Sequence, residues 1–153
     1  MRLMVLMIPA LAVVAAAAQP ARARSAADSP CGTMENGQEM LDGLGRYFTS
    51  DWHAGMRGSY VRKVRPGEPR AVVTDTAVCR AALDAALRRM RTDASKWPEQ
   101  EARGYDHAVF RYGPYYAVLL APKWDPDSER RPSWIPLVVF RASDMAFRAI
   151  WMA

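Results

Sequence analysis

The chain has 153 residues, 50% of them hydrophobic and 24% charged, with a formal net charge of +5. That balance excludes a disordered chain, and the length suits one domain with a sizeable core. Two histidines and two cysteines are too few for most metal-centred and thiol-based chemistries.

Residues 1–23 read as an export signal. Arg2 supplies a basic start, residues 3–18 form an uncharged apolar run, and Ala21-Arg22-Ala23 gives the small-x-small pattern that a signal peptidase accepts. Cleavage after Ala18 fits nearly as well. A retained anchor is the competing reading, but a 16-residue run containing Pro9 is shorter than a spanning helix requires. The expectation is a periplasmic or secreted protein that is not an integral membrane protein once the signal is removed. Without residues 1–24 there remain 18 basic against 16 acidic residues, a charge of +2, so the basic isoelectric point belongs partly to the signal. Arginine outnumbers lysine 18 to 3 and Asn36 is the only asparagine, a bias that fits a GC-rich bacterial gene. The arginines are therefore not read as selected for nucleic acid.

Residues 24–32 form a small, polar, exposed lead-in, and residues 33–153 form a single domain. Met40, Leu41, Leu44, Tyr47 and Phe48 recur at three- and four-residue intervals, one face of a helix that ends before Asp51. Gly37, Gly43 and Gly45 weaken it, each by up to about 1 kcal/mol relative to alanine. Residues 53–70, rich in glycine and proline, make a loop around a short strand over 60–64. Ala71-Val72-Val73 reads as a strand. Thr74, Asp75 and Thr76 can cap a second helix running to about Arg91, with Cys79, Leu83, Ala86, Leu87 and Met90 on its apolar stripe.

After a charged connection the pattern changes to strands. Residues 108–112 and 115–121 form a hairpin about Gly113-Pro114; a polar loop over 122–133 leads to a strand over 135–141. Ala142-Ser143-Asp144 then turns the chain into a last strand whose Phe147, Ala149 and Trp151 share a face. The fold class is α+β: two N-terminal helices with a short strand between them, then a four-stranded antiparallel meander packing the second helix on one face. Without βαβ repeats, a parallel sheet is rejected.

Two cysteines in an exported chain make one disulfide, Cys31 to Cys79, joining the starts of the two helices. A reactive Cys79 at a helix N-terminus, with His53 or His107 as base, is the rival reading. Its place on the apolar stripe and the nearby Cys31 count against it. His107 follows Asp106, but successive strand side chains point to opposite faces, so the two form no dyad and His107 reads as a partly exposed strand-end residue. Asp125, Asp127 and Glu129 resemble a calcium loop, but Arg130 stands where the turn glycine belongs. No Gly-x-Ser-x-Gly elbow, P-loop or dinucleotide fingerprint occurs. No catalytic residue, metal or cofactor is assigned.

Two surfaces remain. Arg57, Arg62, Lys63, Arg65 and Arg70 surround Tyr60 with Glu68 as their one counter-charge, a density that suits an anionic partner. Tyr112 and Tyr115 at the hairpin, with Trp124 and Trp134 flanking the long loop, are the candidate contacts for a ligand or protein. The expected function is non-catalytic binding through the sheet face or the loop over 122–133, the partner being a protein or envelope component and not nucleic acid. The alternatives are an envelope enzyme using Cys79 or carboxylates assembled by the fold, and an electrostatic binder acting through residues 57–70.

Overall fold

The computed structural model describes residues 29–50, 60–92, 104–123 and 135–153. The export signal, His53, Arg57, the calcium-like stretch, Trp124 and Trp134 lie outside the described residues. Helix α1 (Gly37–Thr49) buries Leu41, Leu44, Gly45 and Phe48, the spacing of one face of a 3.6-residue repeat. Strand β1 (Arg70–Val72) precedes helix α2 (Thr76–Thr92). The Asp75 carboxylate accepts the backbone N–H groups of Ala77 and Val78 at 2.9 and 3.0 Å, satisfying two free donors of the first turn of α2. Strands β2 (Tyr105–Tyr112), β3 (Tyr115–Pro122), β4 (Pro136–Arg141) and β5 (Phe147–Met152) complete an antiparallel sheet of order β1-β2-β3-β4-β5.

The sheet has five strands, because the segment read as an isolated strand before α2 pairs with the end of β2: Val72 lies opposite Phe110 and Arg70 opposite Tyr112. The sheet is also covered on both faces. Phe110, Tyr112, Leu119, Val139 and Trp151 pack with Leu41, Leu44 and Phe48 of α1. Val109, Val118, Leu120, Val138 and Phe140 pack with Cys79, Ala82, Ala86 and Met90 of α2. The second helix lies on one face as expected, and α1 occupies the other. The cause is in the strands: β4 is buried at five consecutive positions, so neither side of it tolerates water.

Two local expectations change. Residues 60–64 form no strand; they reach from Arg148 of the last strand to the last turn of α1, with Val64 buried and its N–H donating to the Phe48 carbonyl at 2.8 Å. In the last strand a β-bulge breaks the alternation. Val139 faces Ala149 while Phe140 faces Phe147, which leaves Arg148 as the extra residue. Ala149 and Trp151 therefore face α1, whereas Phe147 meets Phe140 and the Arg89 guanidinium of α2, 6.3 and 4.2 Å away.

The disulfide joins Cys31 to Cys79 across 4.7 Å between Cα atoms. It sits where two short segments share one edge of β2. Val73 donates to the Val109 carbonyl, Val109 donates to the Cys31 carbonyl, and Gly32 bridges Ala108. Residues 31–33 thus continue the line of β1 along β2, although nearly forty positions separate them in sequence. Closing a separation of 48 residues stabilises by up to about 4 kcal/mol through the unfolded chain. The Cys31→Ser/Cys79→Ser variant is expected to lose up to about that amount in urea unfolding, with faster amide exchange at Val109. Phe48 is 1% exposed, stacks on Tyr112 at 4.1 Å and meets Trp151 edge-on at 5.0 Å. Phe48→Ala is expected to cost about 3–5 kcal/mol in the same assay, since it removes a fully buried ring from between Tyr112 and Trp151.

Candidate functional site

The turn between β2 and β3 is made by Gly113, at φ 54°, and Pro114. A Cβ at position 113 would meet Val64 and the Glu68 carboxylate at 3.2 Å, so glycine answers both the backbone angle and the close approach of residues 60–69. That segment crosses the hairpin end. The Arg62 N–H donates to the Tyr115 hydroxyl at 2.8 Å, and the Gly113 N–H donates to the Pro69 carbonyl at 2.8 Å. The turn after β4 docks beside it, with the Ala142 N–H donating to the Pro114 carbonyl.

Sheet register brings distant cations to this same end. Arg70 is opposite Tyr112, Arg111 opposite Tyr116, and Arg141 opposite Tyr115, while Arg148 occupies the bulge just beyond the β4–β5 turn. With Arg62, Lys63 and Arg65 they make seven basic side chains on segments carrying two carboxylates, Glu68 and Asp144. Asp75 and Asp106 lie toward the opposite end of the sheet. The excess positive charge at the hairpin end is thus a property of the fold, assembled from four stretches of chain.

Both carboxylates lock turns. Glu68 accepts two guanidinium hydrogen bonds from Arg62, at 2.5 and 3.0 Å, and the Arg65 backbone N–H at 2.6 Å. Those bonds, the Arg62 pair first, hold its carboxyl at about 2 and raise the Arg62 guanidinium. Asp144 accepts both a 2.8 Å bond from Arg141 Nε and a second bond from the same guanidinium, plus the Ala146 N–H at 3.1 Å. Its carboxyl is likewise held at about 2, chiefly by Arg141, whose own pKa rises. Arg65 and Arg70 form no ion pair among the described residues, and both are exposed.

The structure gathers Arg62, Lys63, Arg65 and Arg70 at this end; Arg111, Arg141 and Arg148 join them without having stood out in the sequence. Their signal is position, since each arginine flanks a turn. Tyr112 and Tyr115 are not surface contacts. Tyr112 is fully buried, donates its hydroxyl to the Leu41 carbonyl and has its pKa pushed up by burial; Tyr115 is 5% exposed and uses its hydroxyl on Arg62. Both face α1 and form the base on which the cationic end is built.

The catalytic alternatives find no assembly among the described residues. Cys79 is bonded to Cys31. His107 is 7% exposed, more buried than its strand-end position suggests, because residues 29–33 cover it. Its Nε2 lies 3.0 Å from the Ser29 carbonyl, which can only accept, so that nitrogen carries a proton. Thr33 Oγ1 accepts the His107 N–H at 3.0 Å and donates to Asp106 at 3.2 Å, keeping the two residues in separate hydrogen bonds. A cleft of about 290 Å³ between α1 and the sheet is lined by Met40, Leu44, Tyr47, Leu119 and Ile135, with Arg46 at its edge; the lining has no thiol, imidazole or side-chain carboxylate. No group of three or more metal-ligating side chains occurs among the described residues, and no described helix is long and apolar enough to cross a membrane. Compared with protein-family models, with curated proteins and with solved structures, the chain finds no match.

The two depressed carboxyls fix the sign of an acid effect. Their ordinary values are 4.5 for Glu68 and 3.8 for Asp144, so their pairing stabilises the fold fully above about pH 4.5, and this is lost as pH falls toward about 2. Between pH 5 and 2 the melting temperature of Glu68→Gln/Asp144→Asn is expected to fall less than that of the parent chain. Parallel curves would show that neither pair contributes.

Proposed function

We propose that this protein is an exported, non-catalytic binding domain that engages an anionic partner through the cationic hairpin end. The observation that carries this reading is the convergence of seven basic side chains from separate segments that themselves carry two carboxylates, Asp42 of α1 being a third acid that faces Tyr112 from the helix side. Beyond residues 1–24 the chain has a net charge of only +2, so an excess of five at one end leaves the remainder net negative. A local concentration of positive charge attracts and orients an anionic partner before contact. Of the other surfaces considered from sequence, the two sheet faces are filled by α1 and α2, and most of the loop over 122–133 lies outside the described residues. An enzyme using Cys79 is disfavoured by the disulfide, and Glu68 and Asp144 are each engaged by an arginine instead of sharing a site.

Retention on a soluble polyanion such as heparin is the direct test. Binding is expected to weaken steeply from about 0.01 M to about 0.15 M salt, as the screening length shortens from about 30 to about 8 Å. Arg65→Ala/Arg70→Ala should lower the retention further. Binding indifferent to both salt and these substitutions would sink the reading.

A further inference from the structure

Resting on the anionic-partner reading above, we propose that the partner is the surface of an anionic phospholipid bilayer, with Tyr60 seated at the level of the headgroups. Tyr60 is 70% exposed, the most exposed large hydrophobic side chain among the described residues. It stands at the cationic end, with Arg62, Lys63 and Arg65 following it and its N–H donating to the Arg148 carbonyl at 3.4 Å. It also projects from an anchored segment. Two residues on, the Arg62 N–H is held by Tyr115, and Val64 is buried against the α1 side of the sheet.

A tyrosine ring with a polar tip, set among long cationic side chains, matches the chemistry of a membrane interface. The ring enters the boundary layer, the hydroxyl stays hydrated, and exposed guanidinium groups such as those of Arg65 and Arg70 reach phosphates while their aliphatic stems lie along apolar surface. The cations lie on or beside three turns, at residues 65–68, 113–114 and 141–146, and none of the seven lines the described cleft. Such a set suits an extended charged surface better than a strand of nucleic acid, which is held in a groove. The export signal expected at residues 1–23 places the protein where such surfaces are available.

Co-sedimentation of the purified protein, as the expressing cell yields it, with phosphatidylcholine vesicles containing or lacking phosphatidylglycerol tests this. The readout is the ratio of the two affinities, and each variant is compared with the parent chain prepared in the same way, so that any uncleaved leader, with its apolar run and Arg2, Arg22 and Arg24, contributes equally to both. Preference for the anionic vesicles is expected, falling about fivefold for each arginine removed at Arg65 and Arg70. Tyr60→Ser, at an exposed position, should weaken binding to anionic vesicles several-fold and leave heparin retention unchanged. Heparin retention without vesicle preference would overturn the bilayer assignment and leave the anionic-partner reading standing. Vesicle binding indifferent to Tyr60→Ser would remove the interfacial role of the tyrosine, and binding to neither probe would overturn both readings.

Discussion

The structure depends on a sheet that has no wet face. Strands β2, β3 and β4 bury consecutive residues, so side chains on both sides must be removed from water and each side needs its own cover. The two helices meet that need differently. Helix α1 brings Phe48 and Tyr47 against Tyr112 and Trp151, large surfaces that hold the contact by area alone. Helix α2 presents Cys79, Ala82 and Ala86, small residues that let the backbone approach closely but bury little area each. At roughly 25 cal/mol per Å² of apolar surface, that face contributes less per residue, and the disulfide at its first turn adds what packing does not.

The bond also decides how the β2 edge is closed. Neither β1 nor residues 31–33 is long enough to form an independent strand, and loop closure opposes bringing either to β2. Their meeting point is the cystine, with Val73 on one side and Cys31 on the other, so one covalent link fixes both. Residues 29–33, once placed, bury His107 and occupy its Nε2 and its backbone N–H. Histidine chemistry at this position is thereby closed off by the same feature that completes the sheet.

Much of this was legible in the sequence for a physical reason. Helical periodicity gave α1 and α2, apolar runs bounded by Gly113-Pro114 and by Ala142-Ser143-Asp144 gave β2 to β5, and a pair of cysteines gave the bridge. The position of α1 on the second face is implied only by the unbroken run from Pro136 to Phe140, since a strand with one wet face would alternate. The bulge at Arg148 was hidden because one extra residue reverses every side chain before it, and no local residue preference announces the slip. At the candidate site the contiguous cations were visible, but Arg111, Arg141 and Arg148 needed the register. Tyr112 and Tyr115 looked available beside a turn; parity places both on the α1 side, where they are buried.

With its two faces covered, the sheet has its ends left for recognition, and the two ends are not equivalent. Turns gather at the hairpin end, where Glu68 and Asp144 satisfy backbone N–H groups as well as guanidiniums. A carboxylate committed to a turn holds its arginine in place while neutralising only one charge, so the remaining cations keep their field. The same two acids that lower the net charge of the positive patch therefore fix its shape. Substituting them would raise the local charge and loosen the turns that present it, which is why charge count alone is a poor guide to how this end meets a partner.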